Sequence, residues 1–204
     1  MTSELKMATE IDQIIEREYQ EHWLHRGETL LIGCPPVHGY VGLRLGPVFQ
    51  VPYLPDHSLN RDIPKVTTAP GRWPLPAALP NRDRTDWTDD PTLAFWVEAS
   101  SPDQVAVRIA DHLATSAGAA RLTWSNKRLA LVYPTKFLAV AETKEPFTTA
   151  EEFPSTVVTR LDFVLSGRSF PPRPAVCFSF TDGSVVYLRD LLASKKVTRA
   201  LSRR

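Results

Sequence analysis

The chain is short of the residues on which many chemistries depend. Cysteine occurs twice in 204 residues, at Cys34 and Cys177. That spacing excludes a disulfide framework and fits the thiol usage of a reducing compartment. No second Cys/His pair stands at zinc-site spacing from Cys34 and His38. A Gly-x-Ser-x-Gly elbow is missing, and so is a glycine loop of the kind that cradles phosphate. Net charge is nearly nil, with 24 Lys and Arg against 23 Asp and Glu, so no overall field draws the molecule to nucleic acid or membrane. No apolar run approaches the roughly 18 residues of a membrane span. The first twenty residues carry acids where a secretory leader needs a basic start and an apolar run. Together these absences predict a cytoplasmic, non-enzymatic protein with no cofactor and no bound metal.

What is present is enough for a substantial core, because a chain of this length buries roughly 70% of its unfolded surface. Residues 4–26 are predicted to form an amphipathic helix, with Ala8, Ile11, Ile15 and Tyr19 recurring every three or four positions and Ile14, Trp23 and Leu24 broadening the stripe. Gly27 stops it. Six acids and three bases make its outward face acidic. From Pro35 to Pro91 come 11 of the 18 prolines. Proline removes a backbone donor and fixes φ, so this insertion, at about 34–91, is predicted to be non-helical and mostly irregular. Extended pieces remain open at Thr29 to Ile32, Tyr40 to Leu45 and Val48 to Tyr53. Thr92 to Ala99 reads as a buried strand, and Ser101-Pro102-Asp103-Gln104 as the start of a helix that Gly118 ends.

The last stretch is the most regular. Leu122 and Trp124 alternate with polar neighbours, Asn126-Lys127 turns the chain, and Leu129, Leu131 and Tyr133 return. Val157 to Leu165 is a second alternating strand. Val176, Phe178 and Phe180 precede an Asp182-Gly183 turn, after which Val186 and Leu188 lead into a helix from Asp190. There Leu191, Leu192, Val197 and Leu201 are expected to pack down, with Lys195, Lys196, Arg199 and Arg203 facing out.

The runs ARLTWSNKRLALVY, VVTRLDFVL and VCFSFTDGSVVYLRDLL resemble the bacterial pleckstrin-homology-like (PH-like) domains. The resemblance covers residues 119 to 203, with Glu28 to Ile32 as an earlier strand. It implies an α+β fold: an antiparallel β-barrel or strongly bent sheet capped by the C-terminal helix, forming one domain over 28–204 behind an N-terminal helix at 1–27. It also implies a scaffold that binds a protein, peptide or lipid headgroup; a protein partner is the reading preferred here.

Individual constellations have a bland reading beside the sharper one. His22 and His25 could share a metal, or could answer a helix dipole. The acids of residues 81–90, Asp86, Asp89 and Asp90 among them, could serve a metal-assisted hydrolase with those histidines, or could pair with Arg82 and Arg84 on a solvated loop. Between Arg189 and Arg204 six bases face one acid. That face could meet acidic lipid or nucleic acid, or could cancel against the acidic N-terminal helix. The candidate partner-binding residues are Lys127, Arg128, Lys195, Lys196, Arg199 and Arg203, with Trp73 and Trp87 as contact anchors if exposed. The oligomeric state is not legible.

Overall fold

The computed structural model describes residues 3–59, 61–67, 74–76, 86–141 and 143–204. Among these residues are three α-helices and two mostly antiparallel sheets, an α+β arrangement. Helix α1 (Ser3–His22) precedes strand β1 (Leu30–Gly33). Strands β2 (Tyr40–Leu45), β3 (Val48–Gln50) and β4 (Leu93–Ala99) follow, then α2 (Val105–Thr115). The rest of the chain is β5 (Arg121–Ser125), β6 (Arg128–Pro134), β7 (Phe147–Pro154), β8 (Val158–Ser166), β9 (Arg173–Phe180), β10 (Val185–Arg189) and α3 (Ala193–Arg203).

The first sheet has the order β1-β5-β6-β7 and is antiparallel throughout. The second runs β3-β2-β4-β10-β9-β8, and β2 lies parallel to β4. Neither closes on itself, so the expected closed barrel gives way to two open sheets. Three strands that precede the PH-like stretch widen the second sheet. β4 takes the outer edge of β10, and β2 and β3 extend the sheet beyond it. Tyr40–Leu45 contains no proline, which lets it occupy an internal position inside an otherwise proline-dense region. β7 was not anticipated from the sequence.

The main core lies between the sheets. Leu122, Trp124, Leu129, Leu131 and Tyr133 of the first sheet join Phe95, Val97, Val176, Phe178, Val186 and Leu188 of the second, with α2 supplying Val107 and Ile109 and α3 supplying Val197 and Ala200. Period-two alternation sends Ala130 and Val132 to the opposite face, where Ile15, Tyr19 and Trp23 of α1 cover them. Gly33 permits that contact, because a Cβ there would stand 2.8 Å from a Tyr19 ring carbon. The outer face of the second sheet is covered by Trp87, packed with Trp96, Ala175 and Tyr187. No helix among the described residues is long and apolar enough to cross a membrane.

Helix α2 begins at Val105, later than Ser101-Pro102 led us to expect, because its cap comes from elsewhere. The Asp182 carboxylate accepts the Val105 N–H at 2.7 Å and the Ser184 hydroxyl accepts that of Ala106 at 3.1 Å. These two belong to the β9–β10 turn, where Gly183 takes φ +82°. Burial pushes the Asp182 carboxyl up, but the Ser184 hydroxyl and the Val105 N–H outweigh it and hold the group below the usual carboxylate range.

Candidate functional site

The two faces of α1 meet different environments. Its inner side carries an ionic seam to α3. Lys196 is 1% exposed and lies 3.2 Å from Asp12 and 2.7 Å from Asp190. Arg199 bridges Asp12 at 3.0 Å and Glu16 at 2.9 Å, and Arg203 reaches Glu16 at 2.8 Å. Burial lowers the Lys196 pKa, yet the carboxylates of Asp190 and Asp12 and the Cys34 sulfur outweigh it and leave the ammonium above its ordinary value. Cys34, in the same surroundings, is pushed up to about 12 by burial.

This seam corrects the outward placement of the α3 cations. Lys196 shares a helical stripe with buried Ala193, Val197 and Ala200, so the periodicity that buries them buries it as well. Arg199 and Arg203 are engaged by α1. Leu191 and Leu201, expected to pack down, are each about half exposed. Lys195 does face solvent.

Other predicted contact residues are also committed inside the molecule. Arg128 lies over the Trp23 ring at 4.4 Å and meets Glu28 at 3.1 Å and Glu152 at 2.9 Å, which ties the end of α1 to the first sheet. Its neighbour Lys127 is exposed. Trp87 is fully buried, with the Arg189 guanidinium 5.8 Å from its ring centre, and so is no surface anchor. Trp73 lies outside the described residues, as do Arg82 and Arg84.

Asp89 accepts the Arg168 N–H at 2.8 Å, and Asp90 accepts the Thr92 N–H at 2.9 Å. Asp89 and Asp90 thus hold loop backbone, and Asp86 lies 3.7 Å from exposed Arg168. His22 stands 3.8 Å from Glu21, and His25 is 3.4 Å from Arg128. They lie at the end of α1, over the first sheet, whereas Asp86, Asp89 and Asp90 cluster with Trp87 over the second, so the two sets do not form one site. Among the described residues no group of three His, Cys, Asp or Glu side chains is arranged to hold a metal ion.

Outward from the seam, α1 leaves Met7, Ile11 and Ile14 exposed at 58%, 39% and 55%. Ile11 and Ile14 were both expected to belong to the inward stripe. The spacing i, i+4, i+7 makes these three one stripe of two turns. Beside it opens a groove of about 490 Å³, walled by Ile11, Ile14 and Ile15 on one side and by Pro134, Pro146 and Phe147 on the other. The far wall is fixed by the Thr135 N–H to the Pro146 carbonyl at 2.9 Å and by the Thr135 and Thr148 hydroxyls at 2.8 Å. The near wall is fixed by Tyr19, whose ring lies 5.0 Å from Phe147, and by the Trp23 indole N–H, which donates to Thr149 at 3.0 Å. The groove is therefore preformed. Arg121, Lys136 and Lys144 line it along with Glu18 and Glu145. An apolar concavity with a few converging charges is the usual form of a binding site.

A second constellation, also missed in the sequence, lies at α2. One face of the helix carries Arg108, Asp111 and His112. Between Leu131 and Val132 the register with β7 slips by one residue, leaving Ala150 as the bulge. The bulge brings Glu151 to His112 at 3.3 Å and into contact with Arg108. The His112 Nδ1 lies 2.9 Å from the Tyr133 hydroxyl. Tyr53 donates to Asp111 at 2.5 Å and Arg61 meets it at 2.8 Å, so the proline-rich segment is strapped down here. Burial raises the Asp111 carboxyl in spite of Tyr53 and Arg61. For Glu151 the His112 hydrogen bond and the Arg108 charge outweigh burial and lower it. Each ion is matched by a neighbour and the Tyr133 hydroxyl is sealed from solvent. The arrangement is suited to locking the strap.

No family model matches the chain, and neither a curated protein nor a solved structure does.

Proposed function

We propose that this is a non-enzymatic, PH-like binding or scaffolding protein that recognises a protein partner through the groove beside α1. The PH-like part of the reading is supported by element order: four antiparallel strands (β1, β5, β6, β7), three more (β8, β9, β10), then a terminal helix that packs on β1, β8 and β9. The proline-rich insertion with β2 and β3, and the β4–α2 segment that follows it, are elaborations on that plan.

The observation that carries the binding reading is the Met7, Ile11, Ile14 stripe lying open beside an apolar groove whose walls are hydrogen-bonded. Apolar side chains at this spacing are how a helix presents itself to another helix or to an apolar segment. A partner drawn to acidic lipid or nucleic acid chemistry would find only Lys195 and Arg204 on α3 without a carboxylate among the described residues.

The test compares capture from native cells by three forms of the chain. Wild type and a Lys195→Glu/Arg204→Glu variant are expected to retain the same companion protein, and Ile11→Glu/Ile14→Glu to lose it. Capture that survives the isoleucine changes overturns the groove as the contact. Loss on changing Lys195 and Arg204 transfers the contact to α3.

A further inference from the structure

Arg121 is the odd member of the groove. Where other arginines of this molecule are drawn partly inside, they find acceptors: Arg61, Arg128 and Arg199 each meet a carboxylate, and Arg189 meets the Thr88 and Asp90 carbonyls. Arg121 differs in having no carboxylate within ion-pair distance among the described residues; its Nε, like those of Arg189 and Arg199, reaches no acceptor. It lies against the Tyr19 hydroxyl, whose pKa burial raises and the guanidinium opposes. Neither that hydroxyl nor the Thr123 hydroxyl makes a well-aligned hydrogen bond. A half-buried guanidinium lining an apolar groove, with no carboxylate at ion-pair distance, is free to take one from a ligand.

We propose that the partner supplies it: an apolar protein segment bearing an Asp or Glu whose carboxylate pairs with Arg121 while its apolar side chains lie on Ile11, Ile14 and Phe147. This rests on the groove being the binding surface. Charge complementarity points the same way, since three bases and two acids line the groove and leave it one positive charge in excess. The planar guanidinium suits a carboxylate, which it can hold through two parallel hydrogen bonds. The apolar stripe of α1 extends about 10 Å, two turns at 1.5 Å per residue, which matches a short helical segment. The acidic residues of α1 disfavour an anionic membrane as the occupant.

A random-peptide display library selected on the intact chain tests this directly. Selected peptides are expected to combine apolar residues at three- or four-residue spacing with an Asp or Glu, and to lose binding on Ile14→Glu. Arg121→Gln should weaken a selected peptide by about tenfold or more, and Arg121→Lys by less. Changing the peptide's acid to its amide should cost wild-type protein the same factor, a readout that needs no protein variant to fold. Peptides that depend on Ile14 but are indifferent to both Arg121→Gln and the amide change sink the pairing and leave the groove standing. No selected peptides, peptides indifferent to Ile14→Glu, or Ile14-dependent binding to anionic vesicles in their place, sink both.

Discussion

The inner and outer faces of α1 show opposite uses of side chains on a single helix. Inside, Asp12 and Glu16 are matched by Lys196, Arg199 and Arg203, and Tyr19 and Trp23 are packed against the first sheet. Outside, Met7, Ile11 and Ile14 stand partly open to solvent. Charge was the conspicuous sign in the sequence, yet charge is what the fold neutralises within itself. A basic helix and an acidic helix in one chain can be partners for each other. An apolar stripe left in water beside a concavity has no such internal answer, and it is the better sign of a contact.

This contrast can be broken at either face. The largest effect is expected from Lys196→Met, which leaves Asp12 and Asp190 buried with one counter-charge fewer: a loss of about 3 kcal/mol in denaturant unfolding, given that stranding one partner of a buried pair costs 3–5. A loss below about 1 kcal/mol would mean that the seam does not hold α1. Arg128→Ala removes the stack on Trp23 and two ion pairs. Stability should drop by about 2 kcal/mol, and quenching of Trp23 fluorescence should change as the end of α1 loosens.

Alkaline pH should weaken the seam without any substitution. Cys34 rises from an ordinary 9.0 to about 12 in the fold, and Lys196 stands above its ordinary 10.5. A group raised by folding contributes stability that is complete below its unfolded pKa and is lost as pH climbs through the folded one. Stability should therefore fall from pH 9 upward, and since burial also raises Cys177, to about 11, Cys34→Ser should reduce the early part of that fall without removing it. A flat profile between pH 8 and 11 would place both groups in water.

The outer face should behave in the reverse manner. Ile11→Glu/Ile14→Glu is expected to shift unfolding by less than about 0.5 kcal/mol, as surface changes do, while abolishing partner capture. Lys195→Glu is the smallest perturbation, leaving stability and capture both at wild type. A large stability loss from the isoleucine pair would show that the stripe is core after all.

How far the sequence could be read follows from how local each signal was. The hairpin at Asn126-Lys127, the Asp182-Gly183 turn and the strand alternations around them depend on near neighbours, and they stand where expected. Strand β7 was illegible because Phe147–Pro154 carries two glutamates and ends on proline, weak strand chemistry that only pairing with β6 makes extended. The start of α2 was misplaced because its cap comes from a turn 77 residues away. Lys196 looked like a surface cation until helical phase was weighed against residue type. The groove was invisible for a different reason. Its walls come from α1, the end of β6 and the approach to β7, with Arg121 arriving from β5, and no window of sequence contains them together.

A photo-crosslinking amino acid placed at Ile14, with a second form carrying it at Lys195, puts the outer face of α1 to the most direct test in native cells. The expected result is one crosslinked protein from position 14 and none from position 195. A crosslink from 195 alone, or the same companion from both, would contradict the assignment of the apolar groove as the surface this protein offers to its partner.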